Sequence, residues 1–155
     1  MNRLQQTTSS VFPLIPRLIA GAVLTFFSIM HFRDPQHFRD ILCAAGFPLV
    51  DLSVPAASAA ELAAGLLLLS GFFTRIGGIL GIATMVPAII ATIKLAQMTV
   101  EALPEGLTEI PMVPPLPLPI VVLVTSTVAF FLGGGRLSLD SKMTRQTQTA
   151  EPQSH

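Results

Sequence analysis

Apolar residues in this chain fall into four long runs, and the polar breaks between them carry most of the charge. The first run, residues 14–31, is interrupted by Arg17, Thr25 and Ser28 before it reaches His31. Pro16 suits the first turn of a helix, where a backbone N–H has no partner in any case. Arg17 can extend back toward headgroups on its aliphatic stem. The second run, residues 54–73, holds one ionisable residue, Glu61, and the third covers residues 76–98. Only Thr74 and Arg75 separate these two runs, so they should form antiparallel neighbours. A helix rises about 1.5 Å per residue, so about 20 residues cross a hydrocarbon layer of about 30 Å. Pro87 should kink the third run and free the carbonyl of Ala83, for which Thr84 is the nearest donor. The fourth run, residues 114–132, begins among prolines and stops at Gly133, Gly134 and Gly135. The pattern predicts an all-α membrane protein, a bundle of four transmembrane helices.

The breaks complete the plan. Residues 31–53 read as a polar loop with a short amphipathic helix, returned by Pro48 and Pro55, and residues 99–113 as an acidic, proline-rich loop. Residues 1–13 form a polar N-terminal segment, residues 14–140 the membrane domain, and residues 141–155 a tail too polar to fold. The first run reads as an uncleaved anchor, since no small-x-small cleavage site follows it.

Composition strengthens the lipid reading. Hydrophobic residues make up 51% of the chain and charged ones 12%, about half the share a soluble surface needs. A net charge of zero leaves no basic patch for nucleic acid. Arg3, Arg17, Arg75, Arg136, Lys142 and Arg145 fall on one side of this topology, and Arg33, Arg39 and Lys94 on the other with most of the acids. The basic excess places both termini in the cytoplasm.

From Arg17 to Ala88, and again from Gly133 to Asp140, the sequence resembles the DoxX family of small bacterial and archaeal four-span membrane proteins. Arg17 opens the first span as in that family, and Phe27-Ser28-Ile29-Met30-His31 is similar to its G-x-x-[KH] ending, with Ser28 in place of the glycine. Glu61-Leu62-Ala63-Ala64-Gly65 resembles its E-L-x-x-G, Ser70, Gly71, Thr74 and Arg75 its small-G-x-x-T-R turn, and Gly133 to Asp140 its closing G-x-G-[KR]-x-S-L-D. The resemblance implies a protein of the bacterial or archaeal cell (inner) membrane that is not an enzyme on its own. Some relatives are linked to quinone-coupled thiosulfate oxidation and others to complexes handling thiol and oxidative stress.

Among candidate functional residues Glu61 comes first, because a carboxyl inside a bilayer is costly and usually faces the bundle interior. Thr25 and Ser28 stand at similar depth and His31 just above, so these four form the expected intramembrane polar cluster. No basic residue shares Glu61's depth, which predicts a neutral acid hydrogen-bonded to Thr25 and Ser28; Lys94 is the alternative partner. Arg17, Arg75 and Arg136 share the cytoplasmic level, either as topology signals or as contacts for lipid phosphate or another anion. His31, His37, Asp34 and Asp40 lack a metal-ligand spacing, so no metal site is expected. The lone Cys43 rules out an intrachain disulfide. Gly77, Gly78 and Gly81 with Ala63, Ala64 and Gly65 should let the second and third spans approach closely.

Three readings of function follow. The first is an accessory membrane subunit of a redox assembly, holding a quinone or docking a soluble or membrane oxidoreductase. The second is a small proton-coupled transporter for a neutral solute, and the third a membrane anchor without chemistry. Self-association into a homo-oligomer is compatible with each.

Overall fold

The computed structural model describes residue 12, residues 14–135 and residue 138. Within them the ordered elements are helices: α1 (Leu14–Arg33), α2 (Pro35–Ala44), α3 (Val50–Ser70), α4 (Thr74–Ala96) and α5 (Pro117–Leu132), with one 3-10 turn at Val100–Ala102. The expected N-terminal segment, apart from Phe12, and the expected tail lie outside the described residues.

Three of the helices, α1, α3 and α4, are long and apolar enough to cross a membrane; α5 is apolar but has 16 residues. At about 1.5 Å per residue α5 covers about 24 Å. It starts at Pro117, among the prolines that open the fourth run, because Pro117 and Pro119 lack N–H groups and fit only a helix's first turn. The four apolar helices close a ring in which α1 packs on α3, α3 on α4, α4 on α5, and α5 back on α1. The centre of that ring is a core of Ala20, Leu24, Ala64, Leu68, Met85, Val122 and Ala129. Its outside carries Ile19, Phe26, Ile79, Val86, Val124 and Phe131, all exposed. An apolar belt on that scale is stable only against lipid or protein.

Helix α2 closes one end of the ring. Pro35 occupies its first turn and Asp34 caps it, accepting a hydrogen bond from His37 N at 3.0 Å. Its inner face, Phe38, Ile41, Leu42 and Ala44, is buried. The proline-rich segment contributes to this end: Leu103, Leu107, Ile110 and Val113 pack on a small second core of Ile41, Ala44, Ala45, Ala91 and Leu95. An exposed ion pair, Arg39 to Asp51, ties α2 to the start of α3.

Several local expectations change. Helix α3 begins at Val50, ahead of Val54, and takes Pro55 inside it. The carbonyl this frees belongs to Asp51, an exposed residue at the helix entrance, so the proline is tolerated there. The α3–α4 turn is Gly71–Phe73 rather than Thr74 and Arg75, which instead open α4. Thr84 does not rescue Ala83 beside Pro87; its hydroxyl donates to the carbonyls of Leu80 at 3.1 Å and Gly81 at 3.2 Å.

The small residues also divide differently. Gly77 faces Leu67 and Leu68 of α3, as expected, but Gly78 and Gly81 face Phe130 and Ser126 of α5. Gly65 faces α1, where an added methyl group would lie 2.8 Å from Thr25 N. Small residues thus thin three of the ring's contacts, because each helix must meet two neighbours and a glycine serves whichever it faces.

Candidate functional site

Two polar clusters occupy opposite ends of the ring. At the α2 end, His31 Nδ1 lies 3.0 Å from Glu61 Oε2. Glu61 is 4% exposed, so this contact satisfies a carboxyl that would otherwise be stranded in an apolar interior. Phe38 of α2 stacks on the imidazole, with ring centres 3.8 Å apart and planes 4° from parallel. The histidine is therefore fixed on one edge by an acid and on one face by an aromatic ring.

Helix polarity explains the pairing. Side chains in a helix lean toward its N-terminus. Since α1 and α3 run antiparallel, His31 leans down from the α2 end and Glu61 leans up toward it. Of the four residues expected to cluster, the structure brings these two together. Ser28 instead donates to the carbonyl of Ser58 at 2.8 Å, and Thr25 packs against Gly65. The expectation of an acid with no basic neighbour gives way to a carboxyl–imidazole pair. Lys94 is not the partner either: it is exposed and donates to the carbonyl of Ala45 at 2.8 Å.

This pair borders a cavity of about 350 Å³ inside the α2 end of the ring. The lining is otherwise almost wholly apolar, including Val23, Phe27, Ile41, Met85, Pro87 and Val122. Of its hydroxyls, Thr84 and Thr92 donate to carbonyls of their own helix, Thr92 to Ala88 at 2.8 Å. Glu61 and His31 are left to orient anything that enters. The sequence did not single out Phe38, Met85 or Val113 for this cavity, though the buried face of an amphipathic α2 was a signal for Phe38.

At the other end stands Arg17, 3% exposed. Its Nη1 donates to the carbonyl of Gly134 at 2.9 Å, beyond the end of α5. The guanidinium rests in the space that Gly71 leaves by lacking a side chain, and Gly71 itself has φ of +68°. Ser138 and Thr74 are fully buried beside them, with Ser138 Oγ donating to Gly135 O at 2.7 Å. Arg17 is therefore an internal clamp, not a residue extending to headgroups. Arg75 is half-buried in the first turn of α4, and Arg136 lies outside the described residues. Three separated parts of the sequence, Arg17, Gly71 with Thr74, and Gly134 with Gly135 and Ser138, thus meet at one place.

A comparison with family models matches residues 12–94 to DoxX, a stretch that runs from α1 into the last turn of α4. No curated protein and no solved structure matches the chain.

Proposed function

Since this chain belongs to the DoxX family of membrane proteins, we propose that it is an accessory membrane subunit of a redox assembly whose bundle holds a quinone-type molecule. The cavity carries this reading: it lies between the helices, is lined almost wholly by apolar side chains, and is furnished with one hydrogen-bonding pair, as sites for small lipophilic molecules commonly are. The chain is no enzyme on its own in this reading; it presents its ligand to a soluble or membrane oxidoreductase. All four apolar helices cross the cell membrane of a bacterium or archaeon, with both termini in the cytoplasm and α2 on the outer side. The distribution of basic residues supports that orientation, and the non-helical residues leading into α5 supplement its short span.

The test is extraction of the detergent-purified protein with organic solvent, followed by chromatography of the extract. We expect quinone in near-stoichiometric amount, and its loss in Ala88→Phe, which fills the cavity with a ring while Glu61 and His31 stay in place. Protein purified gently and free of quinone would remove the reading. Pro87 borders the same cavity from within α4, which favours a proton-coupled carrier for a neutral solute as the second reading. Solute flux into proteoliposomes would establish that one.

A further inference from the structure

The hydrogen-bond logic of the His31–Glu61 pair determines what kind of head group the cavity accepts. His31 Nδ1 is engaged with Glu61 Oε2, one face of the ring with Phe38, and among the described residues nothing bonds Nε2. A single net charge in an apolar interior is costly, whereas a pair of zero net charge is tolerated. No other charge is at hand to offset one, because Arg33, Arg39 and Lys94 on the surrounding helices are all exposed.

Two arrangements of the pair are neutral overall. In one, Glu61 is protonated and donates to Nδ1, which places the imidazole's own hydrogen on Nε2. In the other, Glu61 is a carboxylate and His31 an imidazolium, with hydrogens on both nitrogens. Both leave Nε2–H as a donor. Within either neutral arrangement Nε2–H is therefore the donor, whichever partner holds the shared proton; only a carboxylate facing a neutral imidazole, which carries a net charge against an apolar lining, would turn Nε2 into an acceptor.

We propose that His31 Nε2–H is the group that contacts the ligand, that Glu61 is a positioning residue acting through the imidazole, and that the cavity selects lipophilic molecules presenting a carbonyl oxygen. This deepens the quinone reading and rests on it. It adds a preference, since a quinone carbonyl oxygen, which carries no hydrogen of its own, accepts this hydrogen bond better than a phenolic hydroxyl, whose oxygen is the weaker acceptor and whose O–H finds no acceptor on Nε2. It also assigns the contact to the histidine and not to the acid.

Nitrogen-15 spectroscopy of histidine-labelled protein reads the first half directly. The chain has 3 histidines, and a His31→Phe sample identifies the signal of interest. Nε2 should show a protonated nitrogen at neutral pH and should shift on adding a short-chain benzoquinone. An unprotonated Nε2 on the signal so identified would overturn the proposal.

Binding of the same benzoquinone and of its hydroquinone, the latter under anaerobic conditions, reads the second half by equilibrium dialysis. The quinone should bind more tightly. His31→Phe, which keeps an aromatic ring against Phe38, should weaken it about tenfold, the loss of one good hydrogen bond. Glu61→Gln should change it little, because the amide N–H can replace the acid as donor to Nδ1. The reverse order, with Glu61→Gln crippled and His31→Phe intact, would make Glu61 the ligand contact and overturn the assignment. Tight binding of the quinone with no preference over hydroquinone would leave the quinone reading standing and refute the carbonyl selectivity. Absence of binding to either probe would refute both.

Discussion

Glu61 shows how far a single residue can be read in advance. Its cost in a bilayer marks it from sequence alone, as does the need for a partner. The identity of that partner was not legible, because depth counted along the helix axis ignores the lean of side chains: Ser28 lies nearer Glu61's level, but its hydroxyl caps a carbonyl of α3 while His31 reaches down. Two substitutions separate the outcomes. Glu61→Gln should insert and fold, since the amide keeps the volume and can donate to His31, whereas Glu61→Lys should be degraded or aggregate, having placed a second base against the imidazole; size-exclusion profiles of fluorescent fusions in detergent would read both. At the opposite end, Gly71 allows a left-handed backbone and leaves room for the Arg17 guanidinium. Gly71→Ala should therefore destabilise the bundle by about 1–2 kcal/mol from the backbone alone, more from displacement of Arg17, visible as a lower melting temperature in detergent. Snorkelling was the natural expectation for Arg17 near a span's start, and it fails because the segment after α5, distant in sequence, folds back over it.

At the level of elements, hydropathy was an adequate guide to existence and order. Lipid narrows the alternatives, since a chain in hydrocarbon must satisfy its backbone within helices or a closed barrel, and these runs are too long and too evenly apolar for barrel strands. Boundaries were less legible where proline intervenes. Pro55 resembled a boundary and sits inside α3, because its missing bond falls near the exposed helix entrance; Pro114 and Pro115 resembled a helix start and precede α5 as non-helical chain. The crossing of α5 can be tested with cysteines in a Cys43→Ser background. A cysteine replacing Gln36, exposed in α2, should react with an impermeant maleimide added to intact cells, and one replacing Ser141 only after the membrane is opened. Labelling of both from outside would reduce the crossings to three.

The molecule as a whole separates two tasks between its ends. The α2 end holds a cavity and a fixed imidazole; the turn end is a tightly interlocked knot of glycines, hydroxyls and one arginine. The resemblance read from sequence drew on residues at both ends without indicating that they form two distinct assemblies, since spatial convergence of Arg17, Gly71 and Gly134 is a property of the closed ring. The clamp also has a consequence for biosynthesis. Arg17 and the carbonyl it holds are 117 positions apart in sequence, and protein chains emerge from the ribosome N-terminal end first. During most of synthesis, then, α1 rests in the membrane before the carbonyl that Arg17 will hold has been made. Only when the residues past α5 arrive does the last seam of the ring close. An interrupted product would lack the carbonyl of Gly134, and with it the bond that ties its first helix to the end of its last.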